Sequence, residues 1–178
     1  ENNILELKGD NNIEYIEKDK IISVENKPND KLFYAQWGLY NNINSHIGAI
    51  NAWKTHTGSD NIVIGVIDTG IDLDHPAFGP DNNGDGISDR IIAYKSFVPG
   101  QPVDYISTTD HGSHVAGIAA SSDDMYSGIA PGANIIALKA LDSFSGSGNF
   151  SWVEQALQWT IENTDRYSID VINMSLGG

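Results

Sequence analysis

The sequence has no cysteine, which removes disulfides, thiolate zinc sites, iron–sulfur clusters and a cysteine nucleophile in one step. The compartment stays open, because some secreted proteins also lack cysteine. Basic residues are scarce: ten Lys plus Arg stand against 24 Asp plus Glu, for a net charge of −14. A surplus of this sign repels a phosphate backbone or an anionic membrane, so the expected partners include no nucleic acid and no membrane. Long apolar runs are also missing; none approaches the roughly 20 residues that a membrane span requires, and the first residues lack a basic-then-apolar leader pattern. What is present is 178 residues with 40% hydrophobic content. That is enough to fill the core of one ordinary domain or slightly more, and it excludes an intrinsically disordered chain.

The composition changes along the chain. Residues 1–30 hold eight acidic and four basic residues, with apolar material only in short pieces such as Ile4–Leu7 and Ile21–Val24. Alternation at Ile13 and Tyr15 and at Ile22 and Val24 suits short strands, and Glu25–Asp30 is a polar, proline-containing linker. This segment is an appendage or a disordered charged tail. From Asn61 the texture is that of an α/β protein. Residues 61–68 are a β-branched run of the kind buried on both faces, and further strands are expected at 91–97, 134–140 and 170–175. Between them, 112–120 is small and apolar, and 149–163 places Val153, Ala156, Leu157 and Thr160 on one helical face. Alternating strands and helices predict a parallel sheet with helices on both faces, with ligands bound beyond the carboxyl ends of its strands.

Two clusters fall at such positions. Asp68 closes the first buried strand and is followed by Thr69-Gly70, which reads either as a turn or as a carboxylate opened to another group. Residues 110–117 (DHGSHVAG) put His111 at the start of a tightly packed helix. A strand-end carboxylate and a helix-start imidazole can serve as the orienter and base of a hydrolytic triad. His114 should face the core as a hydrogen-bonded structural residue; paired with His111 as a metal site it lacks a third ligand. His46, His56 and His75 read as surface or turn residues, and Trp152 and Trp159 as core.

The segments VIDTGID (66–72), DHGSHVAG (110–117), GIAPGANI (128–135) and INMSLGG (172–178) resemble, in order and spacing, the subtilisin-like serine proteases. The resemblance implies a secreted endopeptidase in which Asp68 is the triad carboxylate and His111 the general base. It also implies a Gly-Thr-Ser-Met-Ala-like nucleophile segment and an oxyanion asparagine. Neither is among these residues, so the catalytic domain is expected to continue past Gly178. Ser175, Leu176 and Gly177 resemble the family's substrate-pairing edge, and Gly146, Ser147 and Gly148 the opposite edge, so a peptide substrate would be held as an added strand. Phe150 and Leu141 either line a pocket there or are ordinary packing. Residues 1–26 resemble the end of the family's inhibitory pro-segment, which would occupy the substrate cleft, leaving 27–178 as the N-terminal part of the peptidase domain.

Residues 81–89 (DNNGDGISD) place oxygen side chains at positions 1, 3, 5 and 9 of a loop, with glycine at 6. That is the schedule of a calcium loop, with Asp81, Asn83, Asp85, Asp89 and the Ile87 carbonyl as ligands. The twelfth position is Ile92 rather than a bidentate glutamate, so another carboxylate or water would have to complete the shell; a solvated acidic turn is the alternative. Two other functions stand beside the protease: a non-catalytic relative that binds peptides or regulates a protease, and a calcium-stabilised adhesive module. The last accounts for 81–89 but gives the Asp68 and His111 motifs no purpose.

Overall fold

Every residue of the strand Val63–Asp68 (β1) is buried, as a β-branched run covered on both faces requires. In this computed structural model, which describes residues 31–39, 46–104 and 110–177, β1 is joined by Ile91–Ser96 (β2), Asn134–Lys139 (β3) and Ile169–Asn173 (β4). They form one sheet in the order β2-β3-β1-β4, and all its pairings are parallel. The expected strands are therefore all present. The expected pro-segment at 1–26 lies outside the described residues.

Among the described residues three α-helices accompany the sheet: Ala49–Trp53 (α1), His111–Ala120 (α2) and Phe150–Tyr167 (α3). Successive side chains of a strand point to opposite faces, and the core divides accordingly. Ile64 and Val66 of β1 and Ile135 and Ala137 of β3 pack with Val115, Ala116 and Ala120 of α2. Val63 and Ile67, with Ile136 and Leu138, pack instead under Ala156 of α3. Helices thus cover both faces of the sheet. Ile135, Ile136, Ala137 and Leu138 are fully buried; at about 1.5–3 kcal/mol for each large aliphatic side chain, β3 is the apolar centre of the fold.

Three details depart from the sequence reading. The last helix runs four residues past the expected end at 163, because nothing in Thr164–Tyr167 breaks a helix, and it stops where Ser168 turns left-handed at φ 52°. Trp152 and Trp159 pack against the α3-side core but stay only partly buried, since their positions fall at the edges of the helix's inward stripe. His114 does not face the core. It lies on the exposed outer side of α2 with Ile118, because the inward face is taken by Gly112, Val115 and Ala116.

Candidate active site

The parallel register puts the ends of β1 and β3 side by side, with Asp68 opposite Lys139. Beyond them the chain of β3 closes over β1: Ala140 and Leu141 both donate their N–H to the Asp68 carbonyl, at 2.9 and 3.1 Å. The Asp68 side chain is 1% exposed. Its Oδ1 accepts the Thr69 N–H at 2.7 Å and lies 2.7 Å from His111 Nδ1. An ionised carboxylate can only accept, so Nδ1 is the donor of this contact, and in the neutral ring that tautomer carries its lone pair on Nε2. The His111 side chain is 48% exposed. One face of the pair is thus sealed in protein and the other is open.

Two glycines allow this approach. A Cβ at Gly112 would lie 2.1 Å from the Gly70 carbonyl oxygen, and one at Gly70, whose φ is +103°, would lie 2.0 Å from the Val103 oxygen. Only hydrogen fits at either place, so α2 can begin against the β1 turn. Thr69 joins the two elements through its hydroxyl, which accepts the Gly112 N–H at 3.0 Å. The open first turn of α2 thereby gains an acceptor.

Beneath this turn lies Lys139, whose side chain is fully buried. Its ammonium donates to the Thr69 carbonyl, to the Leu141 carbonyl at 3.1 Å and to Ser143 Oγ. Burial lowers its pKa below the ordinary lysine value, while the negative charges of Asp142 and Asp68 act in the opposite direction. The sequence reading missed Lys139, Thr69 and Ser143. The available signal was a lysine set inside the otherwise apolar run 135–141.

The proposed substrate edges leave the same end of the sheet. Residues 140–148 follow β3 and residues 174–177 follow β4, on the two sides of β1. Gly146, Ser147 and Gly148 are exposed, as are Ser175, Leu176 and Gly177. Asp142 fixes the first of these segments: its Oδ1 accepts the N–H groups of Ser145 and Phe144 at 2.8 and 3.0 Å, and its Oδ2 accepts from Gln101. The Ser145 amide leads the contacts that hold the Asp142 carboxyl below the usual aspartate range. Leu141 is buried whereas Phe150 is 85% exposed, so packing explains the first and not the second. Among the described serines, Ser113 Oγ accepts the Asp72 N–H at 2.9 Å and Ser175 Oγ donates to Asn173 at 2.9 Å. Neither hydroxyl engages His111.

The acidic loop is folded upon its own oxygens. Asp81 accepts the N–H groups of Gly84, Asp85 and Gly86 at 2.7, 3.2 and 2.8 Å. These bonds, Gly86 foremost, hold its carboxyl below the usual aspartate range. Asn83 Oδ1 accepts from Asp85 N–H at 2.8 Å, Asp85 Oδ1 from Ile87 N–H at 2.9 Å, and Asp89 from Asn82. The donor set is all oxygen, the chemistry that suits calcium. Yet among the described residues no group of three or more His, Asp or Glu side chains is arranged to hold a metal. Position 92 is committed to β2. The other histidines are turn residues as expected: Nδ1 of His46, His56 and His75 accepts the N–H of Gly48, Gly58 and Ala77 respectively.

Comparison with known proteins gives a consistent result. The sequence model of the subtilase family matches residues 59–178. Subtilisin E of Bacillus subtilis is 37% identical over 177 residues, covering 98% of this chain and 39% of the relative. Subtilisin of Bacillus pumilus is 42% identical over 125 residues, covering 69% of this chain and 39% of the relative. Among solved structures, a cold adapted subtilisin-like serine proteinase matches with a TM-score of 0.50 and 32% identity, over 67% of this chain and 39% of that one. The chain thus spans about two fifths of the length of these relatives.

Proposed function

Since the chain belongs to the subtilase family, we propose that it supplies the base and the orienting carboxylate of a serine endopeptidase, with Asp68 and His111 in those roles. The observation that carries this reading is the 2.7 Å contact between buried Asp68 Oδ1 and half-exposed His111 Nδ1. Asp68 fixes the ring in the tautomer whose Nε2 can take a proton from a serine hydroxyl. It then balances the imidazolium until that proton passes to the leaving amine. The segments 146–148 and 175–177 flank this pair and would bind the peptide as an added strand, by backbone hydrogen bonds. A pro-segment ending near residue 26 would occupy the same cleft before maturation. An extracellular setting belongs to this reading through the family, as does a calcium ion in the loop 81–89, which Asp81, Asn83, Asp85, Asp89 and the Ile87 carbonyl would hold.

The test is turnover of a peptide substrate by the full-length protein. His111→Ala should lower kcat by about 10⁶, a magnitude carried over from subtilisin itself and not drawn from this geometry. Asp68→Asn should lower it by about 10⁴ through the wrong tautomer. Peptide binding without turnover in the unmutated protein would identify a non-catalytic relative instead.

A further inference from the structure

Lys139 is a buried cation with no place in the reaction as described, and its position connects it to every part that orients Asp68. Thr69 is bonded at three points. Its N–H donates to Asp68 Oδ1 at 2.7 Å, its hydroxyl accepts the Gly112 N–H at 3.0 Å, and its carbonyl accepts from Lys139 Nζ. The remaining donors of the ammonium go to the Leu141 carbonyl and to Ser143 Oγ. Leu141 in turn gives its N–H to the Asp68 carbonyl, and Ser143 Oγ also reaches the Thr69 carbonyl at 3.3 Å. An ammonium has three donors, and here all three are used.

We propose that Lys139 is a positioning residue for the Asp68–His111 pair: its ammonium ties the Thr69 carbonyl to the segment that follows β3, and so fixes the residue that orients both the carboxylate and the first turn of α2. Desolvating a charge is unfavourable, and an apolar side chain of similar volume is often neutral or stabilising in its place, so stability alone does not account for the buried ammonium. Methionine would fill the same space. It would also leave the Thr69 and Leu141 carbonyls without this donor, and Thr69 could then rotate. The carboxylate would lose its fixed partner and the imidazole its fixed orientation. Substrate contacts at 175–177 do not pass through Lys139, and the 146–148 edge keeps a separate anchor in Asp142, which accepts the Phe144 and Ser145 N–H groups, so binding should suffer less than chemistry.

This inference rests on the proposed protease reading for its kinetic arm, and a second arm is independent of activity. In the full-length protein, Lys139→Met should lower kcat by about ten- to a hundredfold, the scale of an ångström-level misplacement, with KM within about twofold. The proton NMR signal of His111 Nδ1–H, deshielded by its short bond to the carboxylate, should broaden or move upfield. Lys139→Arg, which retains the charge and several donors, should recover part of both. If Lys139→Met fails to fold, Lys139→Gln, which brings an amide donor pair without a charge, is read by the same criteria. A folded Met or Gln variant with an unchanged His111 signal overturns the proposal. So does a kcat loss that only tracks the unfolded fraction while the signal of the folded molecules stays sharp. If even the unmutated protein fails to hydrolyse peptides, the protease reading falls and the His111 signal alone decides the role of Lys139.

Discussion

His111 and His114 lie within one turn of the same helix, and their surroundings separate them completely. His111 meets a buried carboxylate, whereas His114 is exposed beside a core face already filled by small residues. His114→Ala should therefore leave the stability of the folded chain within about 0.5 kcal/mol, as for other surface positions; denaturant titration of the two proteins checks this. Asp142 offers a pH test. Its folded pKa is lowered below 3.8 by the Ser145 amide and its neighbours, so its support of the 142–147 turn is complete above about pH 4 and is lost as pH falls through the lowered value. The protection of the Phe144 and Ser145 amides against hydrogen exchange, measured relative to their intrinsic exchange at each pH, should fall in that acid window, and Asp142→Asn should remove this change. At this scale the sequence was informative where a residue type meets a strand end, as at Asp68. It was uninformative for His114, because the facing of a short helix built from Gly and Ala cannot be read from apolar periodicity when small residues occupy most positions.

At the scale of elements, the site depends on how closely α2 approaches the β1 turn. Gly112→Ala puts a methyl group against the Gly70 carbonyl, and the helix must back away. The expected cost is about 1–3 kcal/mol of stability, as for overpacking elsewhere, with the His111–Asp68 contact lengthened; thermal melting and the His111 Nδ1–H signal report the two effects. The acidic loop is a second element with a definite test. Adding calcium after chelation should raise the melting temperature of the full-length protein, since an ion bound only by the folded state stabilises it, and Asp85→Ala should blunt the rise. Absence of a response would leave 81–89 as a turn held by its own Asp and Asn side chains. The strands were legible because long β-branched runs such as 63–68 have few other homes. Lys139 was not: its proposed role depends on which oxygens surround its ammonium, and those are the Thr69 and Leu141 carbonyls and the Ser143 hydroxyl, brought together only by the register of β1 and β3.

For the molecule as a whole, the parallel sheet gathers chemistry at one end. Asp68, the 140–148 segment and residues 174–177 all follow the carboxyl ends of adjacent strands, and α2 brings His111 to the same end. In the roles proposed for them, His111 and Asp68 still need a hydroxyl to activate, and the described serines nearest in sequence to these motifs are engaged elsewhere, Ser113 with Asp72 and Ser175 with Asn173. The pair should therefore be competent in geometry but silent in reaction when these 178 residues are prepared alone. A fluorophosphonate probe, which labels a serine only when a base activates it, should leave that preparation unmodified, and mass spectrometry after long incubation should find the Glu25–Asn26 region uncut. The full-length protein should take up one equivalent of probe at a serine outside residues 1–178, and His111→Ala should abolish that labelling. Labelling of Ser175 in the isolated chain, together with cleavage near Asn26, would instead make Ser175 the nucleophile. His111 would then act on a hydroxyl that has left Asn173, and 175–177 could no longer serve simply as the edge on which a peptide pairs.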